Sequence, residues 1–277
     1  MCEKRENYEI TEVFSLEEYL RETFKYKDLG YVFRGEANSN YDLKPTLLRG
    51  EDINKISNIE NEFKVLEKLF SYFDNYEVDQ ITIIQIARHF GLKCRFLDFT
   101  EDPMIALYFA CKDNPNDDAK IICLNKIDYS KKYNQITDQE IRCTNKELIT
   151  QLFDWNSLSS NATSLLDENG TPIGRVKIAY PIVVYPEFID YRLSFQSGIF
   201  LLWMDLFINE ENVNDNIFGF KAEIIINRNS KRDIFIELNK RGYKTENIEI
   251  DYSLFFQKFA ISGEEFQKLI ADLNNEL

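Results

Sequence analysis

The sequence contains a single histidine, His89. A two-histidine metal site is therefore impossible, and any serine–histidine–aspartate or cysteine–histidine arrangement has to use that one side chain. Cysteine is sparse as well. Cys2, Cys94, Cys111, Cys123 and Cys143 are scattered, odd in number and form no C-x-x-C pair. Neither a disulfide framework nor a thiolate metal centre is expected. That usage suits a reducing compartment, and a cytoplasmic location is the expectation. No run approaches eighteen apolar residues, which leaves no candidate for a transmembrane helix. The opening MCEKRENYEI is charged and has no apolar h-region, so neither a secretory leader nor a membrane partner is expected. Basic residues are outnumbered 33 to 47, a formal net charge of −14. A field of that sign repels phosphate backbones, which argues against bulk nucleic-acid binding and for simple solubility.

What is present is a chain of 277 residues, 44% of them hydrophobic, enough to bury a sizeable core without covalent staples. Ser15-Leu16-Glu17-Glu18 is a capping box opening a helix to about Lys27, with Leu16, Tyr19, Leu20 and Phe24 on one face and Gly30 closing it. A strand from Tyr31 runs to Arg34-Gly35-Glu36, and turn residues 37–40 lead into an extended stretch from Tyr41 to Arg49. Ser57-Asn58-Ile59-Glu60 caps a helix carrying Phe63, Leu66, Leu69, Phe70 and Phe73. The next helix, Asp79 to Phe90, has an apolar stripe of Ile83, Ile84, Ala87 and Phe90 and stops at Gly91. Gln85 and His89, four apart, share a face of it. After the segment Cys94 to Phe99, Asp102-Pro103 supplies an N-cap and an N1 proline for a helix from Met104 to Cys111. That helix is apolar on nearly every side and is expected to be buried.

Further along, Lys120 to Asn125, Val176 to Val184 and Phe218 to Ile226 read as strands. Residues 129–171 are polar, with a short helix expected at Lys146 to Phe153, and read as an insertion or lid. Lys231 to Arg241 reads as a helix burying Ile234, Ile236 and Leu238 and ended by Gly242. Ser262 opens a last amphipathic helix with Phe266, Leu269, Ile270 and Leu273 on its face. With no repeat and no linker, the simplest division is one domain. Its core spans about 30–255, with an N-terminal helix within 1–29 and a C-terminal helix at 262–277. The expected class is α+β: a central, largely antiparallel mixed sheet flanked by helices.

Three polar clusters stand beside glycine and apolar scaffold. Arg34 and Gly35 end a strand, where a guanidinium can clamp an anion and the glycine admits close approach of backbone or ligand. A structural ion pair is the competing role for Arg34. His89, Arg95 and Asp98 flank the buried helix. Arg95 and Asp98 can pair with each other, Asp98 can cap the turn, and Asp98 can instead orient His89 or hold an arginine in a fixed fork. Arg192 and Gln196, four apart before Gly198, form the third. Their convergence on one pocket is the expectation, with Arg34, Gly35, His89, Arg95, Asp98, Arg192 and Gln196 as ligand-binding residues. His89 and Asp98 are the catalytic candidates if the site is catalytic. An arginine-rich rim points to a small anionic or nucleotide ligand, and a protein partner is the other class considered.

The same stretches carry a resemblance. His89, Gly91, Arg95, Leu97, Asp98, Thr100, Pro103 and Ala106-Leu107-Tyr108-Phe109-Ala110 are similar to the central signature of the FRG domain family, a helix ending in His-x-Gly followed by Thr-Arg-Leu-Leu-Asp-Trp-Thr, Asn-Pro and Ala-Leu-Tyr-Phe-Ala. Lys93, Cys94, Phe96 and Phe99 depart from it. Phe33-Arg34-Gly35 with Leu43, Pro45 and Arg49 resembles the family's opening motif, with Glu36 where glutamine is common. Arg192, Gln196, Gly198 and Phe200 resemble a later Arg-x-x-x-Gln-x-Gly-x-Phe segment, and the resemblance runs over about 30–255. It implies a module of bacterial conflict or phage-defence systems. The strand-borne aromatic-Arg-Gly also resembles the opening of ADP-ribosyltransferases, where such a residue holds NAD. That likeness makes NAD a possible cofactor, with Glu36, Glu187 and Glu223 as available glutamates.

Overall fold

The computed structural model describes residues 10–27, 30–49, 55–76, 78, 80–125, 163–166, 172–176, 182–184, 197–202, 221–248 and 252–277. The chain runs β1 (Ile10–Val13), α1 (Leu16–Lys27), β2 (Tyr31–Glu36), α2 (Lys55–Tyr72), α3 (Gln80–His89), β3 (Phe96–Thr100), α4 (Pro103–Lys112) and β4 (Ala119–Asn125). It continues with β5 (Thr163–Leu166), β6 (Pro172–Val176), β7 (Ile182–Val184), β8 (Gly198–Leu202) and β9 (Lys221–Ile226). The helices α5 (Arg228–Lys240), α6 (Thr245–Ile248), α7 (Ser253–Phe259) and α8 (Gly263–Asn274) close it. Among the described residues, seven strands form one sheet in the order β1-β9-β4-β2-β3-β8-β7, and β5 and β6 pair separately. Every neighbouring pair in the large sheet is antiparallel except β1 on β9. The molecule is α+β with a mixed, largely antiparallel sheet, as its sequence implies.

Register decides which residues share a side of the sheet, because directly opposed residues share a face and successive residues alternate. Phe33 lies opposite Cys123, Gly35 opposite Ile121, and Ile121 opposite Ile224. That face meets α1, α4, α5 and α6 in one apolar cluster with Tyr19, Leu107, Ile234 and Ile248. Thr100 lies opposite Phe33, so Asp98 and Phe96 of the same strand look to the same side. There Phe96 and Phe200 meet α2, α3, α7 and α8 in a second cluster built on Leu66, Leu69, Phe73, Ile83 and Phe266. Two cores therefore lie side by side on one face of one sheet. The seam between them falls where β2 meets β3. Those strands share a single bridge pair, whereas β2 and β4 are matched over six residues from Tyr31 to Glu36.

The local signals that position the seam behave as their chemistry requires. Asp102 caps α4, its side chain accepting from the Met104 N–H at 2.8 Å, and Pro103 takes the first turn. From Met104 to Cys111 every residue but Phe109 is buried. Gly91 closes α3 at φ +92°, and Ser262 with Glu265 forms a complete capping box at α8. Thr46 and Cys94 lock the two N-terminal motifs together: the Cys94 N–H donates to Thr46 Oγ1 at 3.1 Å and the Leu47 N–H to the Cys94 carbonyl at 3.3 Å.

Some expectations are corrected. Phe24 is 73% exposed; α1 instead buries Leu16, Tyr19, Thr23 and Tyr26, and Phe24 falls off the edge of that stripe. Ile236 is 44% exposed because it lies two residues from both Ile234 and Leu238, hence on the opposite side of α5. The expected strand from Val176 to Val184 is two strands, β6 ending at Val176 and β7 beginning after Pro181, in different sheets. β1 was not anticipated at all, and α2 begins at Lys55, two residues ahead of Ser57. The helix expected at 146–153 lies outside the described residues, as does most of the expected lid; within it β5 pairs with β6.

Candidate functional site

The seam opens into a cleft of about 380 Å³, within the roughly 300–1,000 Å³ of small-molecule pockets. Its lining draws on both cores: Phe33 to Ala37 of β2 and its turn, Asp98 to Thr100 of β3, His89 at the end of α3, Phe109 on α4, and Phe200 on β8. Of the residues singled out from the sequence, Arg34, Gly35, His89 and Asp98 come together here. Arg192 and Gln196 lie outside the described residues, although Gly198, at the end of their motif, lines the cleft.

Arg34 lies at the splay. Its Nη1 donates to the Asp98 carbonyl at 2.8 Å. That oxygen would otherwise face the gap where β2 and β3 fail to pair, so the guanidinium supplies the donor a ladder would have given. Its Nε donates to Glu36 Oε1 at 2.6 Å, and Nη1 lies 4.0 Å from Asp98 Oδ2. Gly35 serves a different need. A Cβ there would lie 1.9 Å from the Ala106 carbonyl oxygen, so α4 rests directly on the β2 backbone. Of the two roles considered for this glycine, the structure uses it for close approach of backbone.

Asp98 has a partner that the sequence reading did not name. Arg88, the penultimate residue of α3, donates from Nη2 to Asp98 Oδ2 at 2.5 Å. Its guanidinium lies 4.7 Å from the Phe200 ring centroid and 5.6 Å from that of Phe96. The signal was present: Arg88 follows Ile84 by four on the apolar stripe of α3, a position a solvated arginine would avoid. Desolvation opposes ionisation of Asp98, but the Arg88 and then Arg34 charges outweigh it and hold the carboxyl below the ordinary carboxylate range. His89 is pushed the other way. Desolvation and the neighbouring Arg88 outweigh the attraction of Asp98, lowering its pKa from the ordinary value. Its ring packs 5.5 Å from that of Tyr252. At neutral pH the site thus holds a neutral imidazole beside an ionised carboxylate.

Arg95 does not join them, and the expectation that it lines the pocket is corrected. It is wholly buried against Glu62 of α2: its backbone N–H donates to Glu62 Oε1 at 2.9 Å and its Nε to Oε2, with the guanidinium 5.3 Å from the Phe63 ring. Nor do Arg95 and Asp98 pair. Arg95 lies in the bend before β3 and turns to Glu62 of α2, whereas Asp98, within β3, turns to Arg88 of α3. Glu36 lines the cleft, whereas Glu223 is a buried residue of β9 outside its lining; Glu187 is outside the described residues. Among the described residues no cluster of three or more histidine, cysteine, aspartate or glutamate side chains could hold a metal ion, and no helix is long and apolar enough to cross a membrane.

The site so defined is a cleft at the junction of two helical layers over a mixed sheet, with a strand-end arginine, a helix-end histidine and an arginine-held aspartate. The residues that build it coincide with a known family. The FRG domain model matches residues 30–119, from the residue before β2 to the start of β4, so that this span is similar to an FRG domain. The match takes in the first two motifs and stops short of the Arg192–Gln196 segment. No curated protein and no solved structure gives a significant match to the chain.

Proposed function

We propose that the FRG domain presents a binding cleft for a small polar, nucleotide-like ligand. Arg34, His89 and Asp98 are its contact residues, and Gly35 brings α4 against the strand that carries Arg34. The carrying observation is the convergence of side chains from β2, α3 and β3, up to 64 residues apart, on one cleft at a place where the sheet itself is left open. A splayed strand pair gives up backbone hydrogen bonds, and a polar cleft is a reason to keep it so. A role in bacterial conflict or phage defence belongs to the same proposal. Calorimetric titration of nucleotides and NAD into the wild type and Arg34→Ala tests it. Binding that weakens at least tenfold in the variant is expected; no binding of any nucleotide would leave a non-catalytic protein-interaction module as the better reading.

Glu36 favours a second reading, an NAD-using transfer like that of ADP-ribosyltransferases. Its carboxylate lines the cleft, bonded to Arg34 at 2.6 Å. Nicotinamide release from NAD, lost in Glu36→Gln, is the expected sign of such an activity. Its absence in the wild type removes the reading.

A further inference from the structure

We propose that the described wall of this cleft receives the nucleoside portion of its ligand, an uncharged ring with hydroxyl or amino donors, and not its phosphate. The inference rests on the reading of the cleft as a binding site and turns on which polar atoms are still open. Arg34 has committed Nε to Glu36 and Nη1 to the Asp98 carbonyl, leaving Nη2. Asp98 has committed Oδ2 to Arg88, leaving Oδ1 with no partner among the described residues on a side chain 59% exposed. Glu36, 6% exposed yet lining the cleft, accepts through Oε1 alone. Among the cleft's guanidinium and carboxylate atoms the open set is two oxygens to one nitrogen, beside the His89 ring, which as a neutral imidazole both donates and accepts.

A phosphate at neutral pH offers almost only acceptors, and the charges of Arg34 and Arg88 are already matched by Glu36 and Asp98. An anion entering here would meet two carboxylates and would have to displace one. A cation gains little either, because the four groups sum to zero formal charge. What fits is a neutral group presenting donors, such as the vicinal hydroxyls of a ribose, which carboxylates take readily. The rim supplies the other half. Tyr41 and Phe109, 45% and 37% exposed, both line the cleft as large apolar rings left in water. A planar base can cover such rings, and aromatic faces stack any base.

The test is isothermal calorimetry on the full chain at fixed ionic strength, titrating each ribonucleoside, NAD, pyrophosphate and spermidine. Wild type, Asp98→Asn, Phe109→Ala and Arg34→Ala are compared, each first checked for folding by circular dichroism. At least one ribonucleoside is expected to bind, with pyrophosphate and spermidine silent. Asp98→Asn should weaken binding about tenfold to a hundredfold, the range for a hydrogen bond to a charged group. Phe109→Ala, a change at the surface of α4, should weaken it about tenfold. Pyrophosphate binding that is lost in Arg34→Ala would overturn the inference while sustaining the cleft as a site. So would spermidine binding tightest, a nucleotide binding where its nucleoside does not, or nucleoside binding indifferent to Asp98→Asn. Silence from every compound would overturn both readings.

Discussion

Arg95 and Arg88 both lie beside β3, and each holds a carboxylate, yet the pairs differ in every consequence. The Arg95–Glu62 pair is sealed in the core, both side chains essentially without solvent contact. The Arg88–Asp98 pair has a largely covered arginine but a carboxylate that is 59% exposed. In the first, each charge exists for the other, and the cost of desolvating both is offset only while they stay together. In the second, the arginine spends one nitrogen to fix a carboxylate whose other oxygen faces a cleft. An ion pair that ends in solvent is poor scaffolding, worth about 0–1 kcal/mol when fully exposed, but it is a good way to aim an acceptor. The same two residue types thus build core at the start of the strand and a site further along it.

Substitutions can break that contrast. Arg95→Ala leaves Glu62 charged and buried without its partner, and a loss of about 3–5 kcal/mol in urea unfolding is expected. A loss below about 1 kcal/mol would mean the core tolerates the bare carboxylate and that the division into wall and site is wrong. Gly35→Ala places a methyl against the α4 backbone and should cost about 3 kcal/mol, the top of the usual range for overpacking because the obstacle is main chain rather than a side chain that can turn away. Its thermal midpoint compared with that of Gly198→Ala, where an added Cβ meets nothing within 4 Å, isolates the steric part.

Arg88→Met sharpens the other half. A carboxyl held below its ordinary pKa stabilises the fold above the unfolded value, about 3.9, and that stabilisation is lost as pH falls through the folded value. With Arg88 removed Asp98 is less depressed, so the fall in urea midpoint between pH 7 and pH 3 should be smaller than in the wild type. An equal fall would show that Asp98 is not held by Arg88. The smallest effect is expected at Gln85, one turn before His89. It is 3% exposed, and neither atom of its amide has a partner among the described residues. Gln85→Leu should be neutral or raise stability by about 1 kcal/mol, since an apolar group of similar shape relieves two unsatisfied atoms. A marked loss of stability would mean that the amide is bonded in solution.

The termini of helices were the most legible part of the sequence, because a cap is a local event: Asp102-Pro103, Gly91 and Ser262 each act on neighbours within four residues. The α+β class and the cluster of Arg34, His89 and Asp98 followed from motif order and spacing. What escaped was decided at a distance. Glu62 lies 33 residues before Arg95 on another element, so nothing local marks it as the partner that withdraws Arg95 from the cleft. Arg88 does carry a local sign, since an arginine on an apolar stripe points to buried company, but nothing nearby marks Asp98 as its partner. β1 depends on a parallel match with β9, more than two hundred residues later, for its existence.

The central claim is that the two ion pairs beside β3 have different tasks, and amide chemical-shift mapping of the full chain titrated with a binding ribonucleoside tests it most directly. The account predicts perturbations concentrated at Gly35, Ala37, His89, Thr100, Phe109 and Gly198, with Glu62 and Arg95 unmoved. Perturbations centred on Glu62 and Arg95, with the cleft silent, would contradict it.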